Sequence, residues 1–256
     1  MKIASWNVNS IKARADHVKA WLEKNRPDVL MIQELKGETL AVEDFTALGY
    51  HCAYKGQKAY NGVATLSLHP IETLGDQLPG DADDLQARYL ETRINGIRFI
   101  NAYMPNGNPV DSEKYPYKLA WLARLKTRIA ALRREMDPFV LAGDFNVIPE
   151  PEDCHDPRVW EGDALFLPET RRAYRAILNL GLTDAFRVFH QGGGHYTFWD
   201  YQAGAWPANK GIRIDHILLS PVLADRLQSC FIDPEPRGWD KASDHTPILA
   251  ILGEGL

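Results

Sequence analysis

Phe139-Val140-Leu141-Ala142-Gly143-Asp144-Phe145-Asn146 is apolar for four residues and then ends in a carboxylate and an amide two positions apart. The apolar run reads as a buried strand, and Pro149 and Pro151 mark the turn beyond it. Period-two spacing puts Asp144 and Asn146 on one side of an extended backbone. A hydrophobic strand with such an end looks like part of a site rather than part of a core. Three further segments repeat the pattern: Ser5-Trp6-Asn7, Ile32-Gln33-Glu34 and Ser243-Asp244-His245. Together the strand ends supply Asn7, Glu34, Asp144, Asn146, Asp244 and His245. Oxygen donors with one imidazole suit a hard divalent metal and a phosphate ester.

Outward from that strand, the chain alternates strands and helices. A strand over 2–8 leads through Asn9-Ser10, a cap, into a helix over 11–25 with Ile11, Ala15, Val18 and Trp21/Leu22 on one face. Pro27 stops the helix, and 28–34 is a second buried strand. A short helix is expected over 42–48, and strands over 50–54, 62–68, 89–94 and 97–104. The last two are joined by Asn95-Gly96, a strong hairpin signal. A long helix over 115–135 carries Leu119, Leu122, Ile129, Leu132 and Met136 on its apolar side. A helix over 171–180 capped by Gly181 and strands over 212–219, 228–232 and 247–252 follow. Segments 104–118, 149–168 and 191–211 lack periodicity, and loops this long inside a compact domain tend to be functional. The simplest layering is α/β: one domain over 1–256, with two packed sheets and helices outside. Each half supplies polar strand ends, which fits a loose two-half symmetry.

The chain has 256 residues, of which 45% are hydrophobic and 25% charged, an ordinary balance for a soluble enzyme. It lacks the run of about 18 apolar residues that a membrane-spanning helix needs. The first strand begins at once and leaves no room for a signal peptide. Cys52, Cys154 and Cys230 are odd in number and widely spaced. They indicate neither a disulfide framework nor a zinc site, and a reducing cytoplasm is the default expectation. The net charge of −5 argues against gripping nucleic acid by bulk charge. A local basic rim remains available from Lys12 and Arg14, Lys55 and Lys58, Arg171, Arg172 and Arg175, and Lys210 and Arg213, although most such residues are solvated surface.

Each polar strand end also has a plain structural reading. Glu34 suits a helix cap, Asn7 a turn, and Asp144 with Asn146 an Asx turn. Four such ends in one chain are harder to dismiss, because α/β sheets gather strand-end loops into one crevice. Arg213-Ile214-Asp215-His216-Ile217-Leu218 adds a fifth. Asp215 lies in an apolar strand, where an ionised carboxylate needs a partner. His245 is the natural one, since an Asp–His hydrogen bond fixes the imidazole tautomer and raises its basicity. His216, adjacent to Asp215, points to the opposite face and reads as structural. Phe198, Trp199 and Trp206 read equally well as core packing.

These residues carry a resemblance. The motifs Trp6-Asn7-Val8-Asn9, Gln33-Glu34-Leu35-Lys36, Tyr60-Asn61-Gly62-Val63-Ala64, Asn101-Ala102-Tyr103-Met104-Pro105-Asn106-Gly107, Gly143-Asp144-Phe145-Asn146, Thr197-Phe198-Trp199-Asp200, Gly211-Ile212-Arg213-Ile214-Asp215 and Ser243-Asp244-His245 span nearly the whole chain. In that order they resemble the exodeoxyribonuclease III family of apurinic/apyrimidinic endonucleases, within the endonuclease/exonuclease/phosphatase superfamily. The resemblance implies a four-layer α/β sandwich of two packed, mainly antiparallel (mixed) sheets flanked by helices, with the active site at one end of both sheets. It implies a Mg²⁺- or Mn²⁺-dependent DNA repair nuclease of base excision repair. Such an enzyme acts, as a monomer, on double-stranded DNA with abasic sites or 3′ ends and associates with the nucleoid.

By the same resemblance, Asn7 and Glu34 are ligands of the main metal site, with Asp244 a direct or water-mediated partner. Asp144 and Asn146 position the attacking water and the scissile phosphate, and they, with His245, complete the candidate metal set. Tyr103 directs its hydroxyl toward the phosphate, and His245 is oriented by Asp215. Asn106 lies near the DNA backbone, and Phe198, Ile212 and Ile214 form the substrate pocket. The general base is Asp144 or His245. Asp144 is favoured, with His245 as the electrophile that binds phosphate. Residues 104–118 offer only Met104 and Tyr115–Tyr117 as wedges into DNA, which leaves open the balance of abasic-site cleavage, 3′-to-5′ exonuclease and 3′-phosphatase activity.

Overall fold

In the computed structural model, residues 1–254 are described; residues 255–256, the last two of the span expected to form one domain, lie outside the described residues. The chain order is β1 (Lys2–Asn7), α1 (Ile11–Asn25), β2 (Val29–Gln33), α2 (Val42–Thr46), β3 (His51–Lys55), β4 (Val63–Ser67), β5 (Glu72–Gly75), β6 (Tyr89–Ile94), β7 (Ile97–Tyr103), α3 (Lys114–Glu135), β8 (Phe139–Asp144), α4 (Pro168–Leu178), β9 (Thr183–Asp184), α5 (Ala185–Phe189), β10 (Asp215–Leu219), α6 (Pro221–Ala224), β11 (Leu227–Ile232) and β12 (Ile248–Leu252). One sheet runs β11-β12-β1-β2-β4-β3 and the other β5-β6-β7-β8-β10-β9. Each contains one parallel pair, β1–β2 or β7–β8. A parallel pair needs a long crossover, and α1 and α3 supply it.

Aligned on their parallel pairs, the two sheets match strand for strand: β12 falls on β6, β11 on β5, β4 on β10 and β3 on β9. The two-half symmetry is therefore present in the topology. Side-chain alternation explains the layers. Ile3, Val29 and Met31 of one sheet meet Phe99, Val140, Ala142 and Ile217 of the other between the sheets. The opposite faces bury Trp6, Leu30 and Ile32 beneath Val18, Trp21 and Leu22 of α1. On the far side Ile100 and Leu141 pack beneath Leu122, Leu125 and Ile129 of α3 and Tyr174 and Ile177 of α4. The result is helix, sheet, sheet, helix.

Toward the C-terminal ends of the parallel pairs the layer between the sheets turns polar. Ser5, Gln33 and Asn101 are fully buried there. Gln33 Nε2 donates to Asn101 Oδ1 at 2.8 Å, while Asn101 Nδ2 donates to Ala64 O at 2.8 Å and Ile32 O at 3.1 Å. These bonds cross from one sheet to the other and satisfy groups that would otherwise be costly to bury. Two residues further along the same faces come Asn7 and Tyr103.

Several expected elements shift. Met136 is not on the apolar side of α3. It is the left-handed C-cap residue and is 82% exposed, while Lys118, Trp121 and Leu125 fill the buried stripe. The helix expected from 171 starts at Pro168, which needs no N–H in the first turn, and ends at Leu178. The strand expected over 212–219 joins the ladder only at Asp215, because Ile212 bridges Cys154 and Phe198 instead. The elements β5, β9, α5 and α6 span two to five residues, too short for a periodic signal.

Candidate active site

Asn7 and Asp144 end strands of different sheets, and both face the layer between them. Asn7 Nδ2 donates to Asp144 Oδ2 at 3.0 Å and to Glu34 Oε1 at 3.1 Å. Gly143 lets this junction close. Its φ is +146°, and a Cβ there would lie 1.9 Å from Ala102 O on the parallel neighbour. Asp144 and Asn146 do not share a face by strand alternation, as their spacing had suggested. Asn146 turns left-handed (φ 48°), and its N–H bonds Asp144 Oδ1 at 2.8 Å. That is the Asx turn, and it leaves Asp144 Oδ2 free to face Asn7.

His245 meets Asp215 as expected: Nδ1 is 2.8 Å from Asp215 Oδ2, and Nε2 is 3.8 Å from Asp144 Oδ2. The second Asp215 oxygen is buried and has no hydrogen-bond partner among the described residues. Burial alone would lower the His245 pKa, but Asp215 and Asp144 push it up to about 10. Burial pushes the Asp144 carboxyl up to about 7 against the pull of His245, with Asp215 and Glu34 adding to the rise. At neutral pH the imidazole is therefore a fixed cation beside a carboxylate poised to take a proton. Burial would also raise the Glu34 carboxyl, but Tyr103 and Lys36 hold it below its ordinary value. The Tyr103 hydroxyl donates to Glu34 Oε1 at 2.6 Å rather than pointing freely into the pocket, and Arg88 stacks 4.8 Å from its ring centroid. Burial and the Glu34 and Asp144 charges keep that phenol protonated.

These side chains open into a pocket of about 230 Å³. Its polar wall includes Glu34, Tyr103, Asn106, Asp144, Asn146, Asp244 and His245; Trp160, Leu165, Phe198 and Ile214 form the apolar wall. Phe198 packs edge-on against His245 at 5.0 Å. Ile212 is 1% exposed, packs behind this wall with Ile148 and Cys154, and does not line the pocket.

Among the described residues no three His, Cys, Asp or Glu side chains form a ready-made cation cage. Glu34 and Asp144 nevertheless converge through Asn7, and Asp244 lines the same pocket, held by Asn9 Nδ2 at 3.0 Å. The Glu34 charge helps raise the Asp144 pKa. A hard cation that keeps several waters needs only one or two carboxylates, so this donor set fits one. Asn146 Oδ1 accepts from Asn106 Nδ2 at 3.1 Å and its Nδ2 donates to Met104 O at 2.9 Å, as Asn7 Oδ1 accepts from the Asn9 N–H at 2.9 Å.

Three members of the expected basic rim are spoken for. Arg213 is 1% exposed and bonds Asp153 and Asp184, while Arg171 and Arg175 pair with Glu150. His216 is structural: its Nε2 lies 3.2 Å from Val147 O, and its ring packs on Phe145 and Tyr174. Trp199 is a packing residue, edge-on to Trp206 at 4.8 Å. Sequence reasoning missed Lys118, whose Nζ donates to Asn106 O and Asn146 O. Burial pushes its pKa down to about 7. The signal was there, since Lys118, Leu122, Leu125 and Ile129 make one helical stripe and a lysine interrupts it. Trp160 and Leu165 gave no such signal, because their segment has no periodicity.

A pocket of about 230 Å³ at the ends of two packed sheets, acidic on one side and apolar on the other, suits a metal-assisted phosphoester hydrolase. The chain belongs to the Endonuclease/Exonuclease/phosphatase family, which it matches over residues 4–245. It is 34% identical to an exodeoxyribonuclease III of Haemophilus influenzae, covering 98% of this chain and 99% of that protein. Among solved structures it is similar to a 3′-5′ exonuclease from Neisseria meningitidis, with TM-score 0.96, 38% identity, and 99% and 100% of the two chains covered. It is also similar to an AP endonuclease from Archaeoglobus fulgidus, with TM-score 0.93, 40% identity, and 98% and 99% covered. The chain is a hydrolytic nuclease of this group.

Proposed function

We propose that this nuclease, acting as one domain and as a monomer, hydrolyses DNA phosphodiesters 5′ to abasic sites and processes 3′ ends in base excision repair. The observation that carries this reading is the convergence of Asp144, Asn7, Glu34 and His245 on one side of a pocket whose other side is apolar. An apolar wall of Trp160, Leu165, Phe198 and Ile214 accepts a deoxyribose, and the polar wall accepts the phosphate attached to it. Asp144 takes the proton from the attacking water. His245, held by Asp215, presents its positive charge to the phosphoryl oxygens. Asn146 and Asn106 orient the phosphate, and each well-placed donor contributes roughly 3 kcal/mol to the transition state. Asn7, Glu34 and Asp244 would hold a Mg²⁺ or Mn²⁺ ion, which when bound neutralises phosphate charge and steadies the leaving oxygen.

One observation weights the reading toward 3′ ends. Met104 is fully buried, Tyr115 bonds Thr170 and Tyr117 bonds Asp84, so these three are not free to wedge into a duplex. The test uses three end-labelled duplexes, carrying an abasic analogue, a 3′-phosphate or a plain recessed 3′ end, with Mg²⁺, Mn²⁺ or EDTA. Metal-dependent cleavage of the first two is expected, with EDTA abolishing it. D144N is expected to lose turnover and keep DNA binding; a near-native rate in D144N would remove Asp144 as the base. Hydrolysis of a small phosphoester with all three duplexes left intact would redirect the reading to another substrate.

A further inference from the structure

Lys118 sits near the start of α3 on the stripe that Leu122, Leu125 and Ile129 continue, and none of it is exposed. Its amine donates to two backbone carbonyls, Asn106 O at 2.9 Å and Asn146 O. Among the described residues no carboxylate lies within ion-pair distance of it, and the Asp144 and Asp163 charges only partly offset its burial. A buried ammonium without a counter-ion is expensive, and a methionine here would continue the stripe at less cost. The requirements of the core therefore do not explain a lysine.

What the amine holds does explain it. Its two acceptors belong to residues whose side chains meet each other, with Asn106 Nδ2 donating to Asn146 Oδ1 at 3.1 Å. The loop that carries Asn106 rests directly on the lysine stem, since a Cβ on Gly107 would lie 2.7 Å from Lys118 Cδ. On the other side Asn146 has a left-handed backbone that leaves the end of β8. One segment precedes α3 and the other follows β8, and the lysine ties both backbones to one point. We infer that Lys118 is a positioning residue that fixes the Asn106 and Asn146 backbones so that their side chains present one surface to the substrate phosphate. This rests on the reading above that the two asparagines meet the phosphate.

The test uses the full chain with the abasic-analogue and 3′-phosphate duplexes. K118M keeps the stem and removes the amine; K118R keeps a charge with a different reach. Single-turnover rate, duplex affinity and thermal unfolding are measured for each, alone and combined with N106A. K118M is expected to lose about 10²-fold in rate, the cost of displacing a reacting group by about 1 Å. Its unfolding temperature should stay close to that of the wild type, because relief of the buried charge offsets the loss of the donor to two carbonyls. N106A, damaging in the wild type, should add little in K118M, because residues acting as one unit are not additive. If K118M does not fold, K118R decides: a slowed enzyme whose loss does not add to that of N106A supports the inference, and full additivity overturns it. Wild type inert on both duplexes overturns the functional reading and the inference with it. An active wild type with an equally active K118M overturns the inference alone, as does a rate loss matched by lost thermal stability.

Discussion

At the scale of single residues, four carboxylates (Glu34, Asp144, Asp215 and Asp244) and one imidazole share a small space, and their charges set one another. Asp144 is available as a base only above its raised pKa of about 7, and His245 is cationic below about 10. A reaction that needs the first ionised and the second protonated has a bell-shaped rate profile, rising through the lower value and falling through the higher. Both limbs are macroscopic properties of the coupled groups. A bound cation favours ionised Asp144 and pulls the lower limb down. D215N removes the strongest support for the imidazolium, so its alkaline limb should move to lower pH. The check is a pH profile of single-turnover cleavage; an alkaline limb in D215N unmoved from wild type would show that the rate does not depend on the His245 charge.

At the scale of elements, the parallel pair β7–β8 brings Tyr103 beside Asp144, and Gly143 permits the approach. G143A places a methyl group against the Ala102 carbonyl, where neither backbone can yield without parting the strands. We expect a loss of about 3 kcal/mol in urea unfolding, together with reduced cleavage, because the collision adds to the backbone strain. Gly96 is the control. It too has a positive φ, of 76°, but a Cβ there meets nothing within 4 Å, so G96A should cost only about 1 kcal/mol. Equal losses in the two variants would mean that conformational strain, not crowding, makes Gly143 necessary. Legibility at this scale followed length. The strands β2 and β8 are buried on both faces and so read as nearly continuous apolar runs, while β1 and β7 carry Ser5, Arg98 and Asn101 among their buried residues. The helix α1 read well from its cap and stripe. Met136 was misread because a periodic pattern does not show where a helix turns left-handed and ends.

At the scale of the whole molecule, the site is divided between two sheets. Asn7 and Glu34 come from one, and Tyr103, Asp144 and Asp215 from the other. The Gln33–Asn101 bridge fastens the sheets one step below that junction, with Glu34 next after Gln33 and Tyr103 two residues after Asn101. N101L takes one acceptor from the Gln33 amide, which keeps Ser5 Oγ and Met31 O, and one donor from each of two backbone carbonyls, which should cost roughly 1 kcal/mol. Q33L/N101L should cost less than the sum of the single changes, since each single change already breaks the bond the two side chains share. Urea unfolding of the four proteins measures this, and strict additivity would mean that the two side chains act independently. Cleavage should fall in N101L even at temperatures where it is fully folded.

The sequence by itself determined which residues could do the chemistry. Polar groups at the ends of apolar strands are a local pattern, and Asn7, Glu34, Asp144, Asp215 and His245 all followed from it, as did the alternation that implies two sheets under helices. Only the tertiary structure decided how those groups divide the work. It paired Asn7 with Asp144 across 137 positions of chain, bound the Tyr103 hydroxyl to Glu34 and set Ile212 behind the pocket wall. It also buried Arg213 among carboxylates and put the Lys118 amine beneath two asparagines. The physical reason is that hydrophobic periodicity reports which face of an element is buried, whereas a hydrogen bond or a charge interaction depends on what the folded chain brings to that face.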